Sequence, residues 1–164
     1  MYDINEVIGC IVRYDHCLNM SDMQDSDITN LKLQKLLYYS QGHYLAEFGK
    51  ELFQDDIVAW KHGPVVSSIY YQFRDLMAEG ASDYIGFSVV ENDIYNHPRI
   101  SNNKEQFDFF IKLMAYYNQY SPWGLRNMTH KETPWLDTKN GEVINKALIK
   151  EFFSQPEIAN RLSV

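Results

Sequence analysis

Along most of the chain, apolar residues recur at the spacing of a helix face, and only short stretches cluster as strands do. Asp3 and Glu6 form a capping pair ahead of Val7, Ile8, Ile11 and Val12, which share one face of a first helix. Thr29 caps a long second helix running to about Phe48, and Gly49 supplies its stop. On it Leu33, Leu37, Ser40, Tyr44 and Phe48 form one stripe, and Leu31, Tyr38 and Leu45 an adjacent one. Apolar surface on two stripes predicts a central helix with neighbours on several sides. Lys32, Lys35, Tyr39, His43 and Glu47 are expected on its wet edge. Gln34 and Gln41 fall on the apolar side, where an unpaired amide is costly; they either bond loop backbone within the domain or face a protein partner.

Leu52-Phe53 and Ile57-Val58-Ala59-Trp60 are short β-prone runs ending at the turn His62-Gly63-Pro64, with Pro64 suited to the first position of a third helix. On that helix Val66, Ile69, Tyr70, Phe73, Leu76 and Met77 face inward, Ser67, Tyr71, Arg74 and Asp75 face outward, and Gly80 closes it. From Ser82 to Arg99 the helical period is lost, and Phe87 to Val90 and Asp93 to Tyr95 read as an irregular hairpin or a long loop. Asn102 with Glu105 caps a fourth helix with Phe107, Phe110, Ile111 and Met114 on one face and Phe109, Leu113 and Tyr116 on another. Ser121-Pro122 opens a short helix carrying Trp123, Leu125 and Met128, and Asn140-Gly141 marks a turn. A last helix near Asn145 to Phe153 presents Ala147, Leu148, Phe152 and Phe153, and Pro156 starts a short tail helix. With no repeat or linker, the expectation is a mainly α (α+β) fold: one compact helical domain over 1–164 with a long central helix and a small β-hairpin or short antiparallel sheet.

Composition narrows the function. At 164 residues, 45% hydrophobic and 15% aromatic, the chain can bury one core without staples. A formal charge of −7 opposes a phosphate-binding surface, so nucleic acid is not the expected partner. No stretch approaches the ~20 apolar residues of a membrane span, and no basic segment precedes an apolar run at Met1 to Glu6; the expected location is the cytoplasm. Cys10 and Cys17 on one helix would stand about 10 Å apart, too far for a disulfide, and are expected as buried or partly buried free thiols.

No catalytic group stands out. His16, His43, His62, His97 and His130 lack metal-ligand spacing, and Asp22, Asp25 and Asp27 lack the glycine and distal glutamate of a calcium loop. Ser67 and Ser68 sit inside a predicted helix rather than on a nucleophile elbow, and no glycine-rich phosphate cradle follows a strand. No metal, cofactor or catalytic residue is therefore expected.

The distinctive feature is a series of strings. Ile28-Thr29-Asn30-Leu31-Lys32-Leu33-Gln34-Lys35-Leu36-Leu37-Tyr38-Tyr39-Ser40-Gln41-Gly42 is followed by Gly49 to Phe53, Ala59-Trp60-Lys61-His62-Gly63-Pro64-Val65-Val66, Ile69 to Phe73, and finally Leu125 and Thr129-His130-Lys131-Glu132-Thr133-Pro134-Trp135. In order and spacing these resemble the Panacea, or SocA-like, antitoxin family over residues 5 to 153. The resemblance implies a mainly helical fold with a small sheet and a non-enzymatic antitoxin, often carried by phages or mobile elements. Such a protein holds a separately encoded toxin inactive by direct binding. In some members it delivers the toxin to a protease, so a protease or chaperone is a further candidate partner. A DNA-touching regulator and an enzyme with an unrecognised pocket are rival classes, neither with support in the sequence.

Motif residues Leu33, Gln34, Leu36, Leu37, Tyr38, Gln41, Trp60, Gly63, Pro64, Tyr70, Phe73, Thr129, His130, Pro134 and Trp135 are expected to be structural, and Trp123 joins the expected core. Lys35, Tyr39, His43 and Tyr71, read as exposed, are the expected partner-binding residues.

Overall fold

The computed structural model describes residues 1–19, 28–78, 84–90 and 99–163. Helix α1 spans Ile4–Asn19, and the Asp3 carboxylate caps it by accepting from Asn5 N at 2.8 Å. Glu6 does not complete that cap. Its buried carboxylate instead accepts from the Arg99 guanidinium at 2.8 Å and from Ile100 N at 3.1 Å, tying α1 to the chain that leads into the helix Lys104–Tyr117.

Helix α2, Asn30–Phe48, is the axis of the molecule. Thr29 Oγ1 accepts from Lys32 N, and Gly49 ends the helix at φ 68, a left-handed conformation that glycine adopts without penalty. Nearly every residue from Asn30 to Leu45 is buried, because α1, the hairpin and the helices Ser67–Ala78, Lys104–Tyr117, Pro122–Thr129 and Lys146–Phe153 surround it. Both glutamines are satisfied inside the fold: Gln34 accepts from Val66 N at 2.9 Å, and Gln41 accepts from Leu52 N at 2.9 Å while donating to Phe53 O at 3.0 Å. They fix the two loops that frame the hairpin.

Strands β1 (Val58–Trp60) and β2 (Gly63–Val65) pair antiparallel, Val58 opposite Val65 and Trp60 opposite Gly63. Pro64 thus lies in β2 and not at the start of α3, which begins at Ser67 (Ser67–Ala78). A proline without an N–H is tolerated on such a short edge strand. On the other side of β1, Gly141 N donates to Ala59 O at 2.6 Å and Ala59 N to Glu142 O at 2.9 Å, so the Asn140-Gly141 turn docks against the hairpin.

Residues Phe87–Val90 form a short helix, α4, rather than a strand. Asp22, Asp25 and Asp27, the Gly80 stop and the Asp93 to Tyr95 part of the expected hairpin or loop lie outside the described residues. Helix α5 is Lys104–Tyr117, capped by Asn103, one residue beyond the expected Asn102. Phe109, Phe110, Leu113, Met114 and Tyr117 are buried on it, whereas Phe107 is exposed. Helix α6 (Pro122–Thr129) opens at Ser121, whose hydroxyl accepts from Gly124 N at 3.0 Å. Then follow α7 (Thr133–Leu136), α8 (Lys146–Phe153), α9 (Pro156–Ala159) and a 3-10 turn at Asn160–Leu162. Cys10 and Cys17 are free, Cys10 half-buried but Cys17 exposed. Among the described residues no helix is long and apolar enough to cross a membrane.

Candidate functional site

The turn between the two strands overhangs the first half of α2, and the space between them is a groove of about 560 Å³. Leu31, Gln34 and Lys35 of α2 line it, with Trp60 and the Lys61-His62-Gly63 turn along one rim. Tyr70 of α3, Trp123 of α6 and Asn140-Gly141 complete the walls. Trp60 meets Tyr70 edge-to-face at 5.0 Å, and His62 meets Trp123 at 6.0 Å. Trp123, expected in the core, is 58% exposed: α6 buries the face of Leu125 and Thr129, four residues apart, and Trp123 falls off it.

The closing motif builds the hairpin's support. Trp135 Nε1 donates to Trp60 O at 2.9 Å, and the His130 ring stacks 3.8 Å from Trp135 with Nε2 3.0 Å from Lys61 O. Gly63 adopts φ 100, and a Cβ there would stand 2.7 Å from Thr129 Oγ1 and 2.9 Å from Lys35 Nζ. Gly63→Ala is expected to lower stability by about 1 to 3 kcal/mol through backbone strain and crowding. A thermal melt checks it.

Lys35 forms the floor. Its ammonium donates to Pro64 O at 2.8 Å and has no carboxylate partner among the described residues; burial, and secondarily Arg126, lower its pKa to about 7.

Of the four residues expected on exposed faces, only Tyr71 is exposed, with the Arg74 guanidinium 4.7 Å above its ring. Lys35, Tyr39 and His43, like Lys32, are buried. Each places its polar tip on a group from a distant element. Lys32 Nζ donates to Asn118 O at 2.9 Å, the Tyr39 hydroxyl donates to Glu132 Oε1 at 3.1 Å, and His43 Nε2 lies 2.7 Å from the Tyr117 hydroxyl. These four polar residues of α2 therefore mark internal partners rather than solvent, and of the expected wet edge Glu47 alone is exposed.

Tyr39 and His43 belong to a second cluster, closed by Arg161, which donates to Tyr117 Oη at 3.2 Å and reaches Glu132 Oε1 at 3.4 Å. Burial raises Glu132 to about 7, with Arg161 pulling the other way, and burial lowers His43 to about 3, with Arg161 adding to the effect. Tyr39 stacks on Tyr117 at 4.0 Å. The cluster lies within the fold, whereas the groove opens outward. Glu132 stood in the closing motif without an assigned role; Arg161 carries no signal in the local pattern. The structural motif residues Leu33, Leu36, Leu37, Tyr38 and Phe73 are in the core, Pro134 is buried, and Trp60, Tyr70 and Trp135 are half-buried around the groove. Among the described residues, no cluster of three His, Cys, Asp or Glu side chains could hold a metal ion.

The antitoxin SocA of Caulobacter vibrioides (strain NA1000 / CB15N) is 37% identical over 129 residues, which cover 76% of this chain and 66% of that protein. No solved structure matches the chain. The family described as "Antitoxin SocA-like, Panacea domain" matches residues 33–136, the stretch that contains most of α2, the hairpin, most of the groove lining and the closing motif. On that match over more than half its length, the chain belongs to the SocA-like Panacea antitoxin family.

Proposed function

We propose that this protein is the antitoxin of a toxin–antitoxin pair and neutralises a separately encoded toxin by binding it directly. Family membership supports the antitoxin role, and one feature of the fold supports the binding mode. Trp123 is exposed in the lining of an aromatic-walled groove, and Tyr71, outside that lining, is exposed with its ring 5.8 Å from that of Trp60, which lines it. Trp, Tyr and Arg are the residue types that most often carry the energy of a protein interface, and here two of them stand in solvent around a ready-made depression.

Co-expression with the toxic product of an adjacent gene tests this. Wild type is expected to restore growth. Trp123→Ala and Tyr71→Ala should shift stability by about 0.5 kcal/mol or less, since both side chains are exposed. Each should weaken toxin binding by about 2 kcal/mol, roughly thirtyfold, and reduce rescue. Phe73→Ala, a core truncation, should lose rescue together with folding. Full rescue by both exposed-site variants would remove the groove rim from the binding surface.

A further inference from the structure

The groove is cationic in a chain that is not. Lys35, Lys61 and His62 line it and, among the described residues, no Asp or Glu does, although the whole sequence carries a formal charge of −7. At its floor Lys35 is about 1% exposed and has, among the described residues, a single acceptor, Pro64 O, for an ammonium that offers three donors. Arg126 stands close enough to add positive potential; its Nη1 donates to Asn127 Oδ1 at 3.0 Å, and its buried Nε has no partner among the described residues. A buried cation is ordinarily paired, and no carboxylate among the described residues meets this one.

Building on the antitoxin reading, we propose that the groove receives one acidic side chain of the bound protein, an Asp or Glu flanked by apolar residues, whose carboxylate ends on Lys35 Nζ between Trp60 and Trp123. The aromatic walls suit apolar neighbours of that side chain, and the floor suits one negative charge. A polyanion fits less well, because the acidic surplus of the chain repels every further phosphate. A carboxylate beside Lys35 would hold its proton on, reversing the effect of burial. Complex formation at pH 8 then takes up a proton, with Lys61, His62, Arg126 and His130 as the other charged or titratable groups near the groove.

The probe is the peptide acetyl-Gly-Leu-Glu-Leu-Gly-amide, compared with its Gln counterpart and with inorganic phosphate, each titrated to about 10 mM against the labelled whole protein by NMR. The Glu peptide is expected to shift the Lys35 side-chain and the Trp60 and Trp123 indole signals. It should bind at least about tenfold tighter than the Gln peptide, and the preference should vanish in Lys35→Met. Calorimetry in buffers of different ionisation enthalpy should register proton uptake at pH 8 that Lys35→Met abolishes. If Lys35→Met does not fold, the wild-type shifts and proton count decide alone. Equal binding of the Glu and Gln peptides, no binding of either, tighter binding of phosphate, or a Glu preference that survives in folded Lys35→Met overturns the proposal. Toxin binding indifferent to Lys35→Met also counts against the groove assignment while leaving the antitoxin reading intact. Peptide binding without any toxin complex does the reverse.

Discussion

Phe153→Ala is expected to lower stability by about 3 to 5 kcal/mol, measured by urea denaturation at neutral pH. The Phe153 ring is fully buried and meets Tyr38 at 5.4 Å, Tyr39 at 6.0 Å and His43 at 4.8 Å, so α8 is held to α2 largely through it. It fits because residue 42 is glycine: a Cβ there would collide with the ring. Gly42→Ala alone should cost about 1 to 3 kcal/mol through overpacking, despite gaining up to about 1 kcal/mol in helix propensity. In the double variant the added methyl enters the vacated space, so the combined loss should fall short of the sum by about 1 kcal/mol. Additive losses would mean that the two residues do not share this contact.

Glu132→Gln is expected to stabilise the protein at pH 8 by up to about 3 kcal/mol and to have almost no effect near pH 4.5. The carboxyl is raised from its ordinary 4.5 to about 7 in the fold, chiefly by burial. A raised carboxyl contributes stability that is fully present below its unfolded pKa and is lost as pH climbs through the folded value, so the window of loss is pH 4.5 to 7. The neutral amide escapes that loss and can still accept from Tyr39. Arg161→Met should do the opposite, weakening the fold more at pH 8 than at pH 5, because it removes the cation that favours the charged carboxylate. His43 acts on the acid side: its lowered pKa makes stability decline as pH falls from 6.5 through 3, and Glu132→Gln should unmask that decline. Thermal melts from pH 4 to 9 on the three proteins separate these contributions. A Gln variant with the wild-type pH profile would place Glu132 in a wetter site than its burial indicates.

Helical spacing and end signals made most of the fold legible. Thr29, Gly49, Ser121-Pro122 and Asn145 stand where the helices begin or end, and Val7, Ile8, Ile11 and Val12 are all fully buried. The errors share a cause. Pro64 looks like a helix start by local chemistry, but its position is set by pairing across the turn with Ala59. Lys35, Tyr39 and His43 look like a solvent edge because each carries a polar tip, and what buries them lies 29, 93 and 74 residues away in Pro64, Glu132 and Tyr117. Such partners leave no trace in local periodicity. Trp123 errs the other way, since hydrophobicity alone does not tell a core residue from one at an open groove.

Size-exclusion chromatography with light scattering, applied to this chain co-expressed with the toxin of its own locus, tests direct neutralisation most simply. One peak at the mass of a complex containing both chains is expected, with Trp123→Ala shifting it toward the free proteins while the variant's melt stays unchanged. Neutralised toxin that elutes apart from the antitoxin at concentrations where growth is rescued would contradict it.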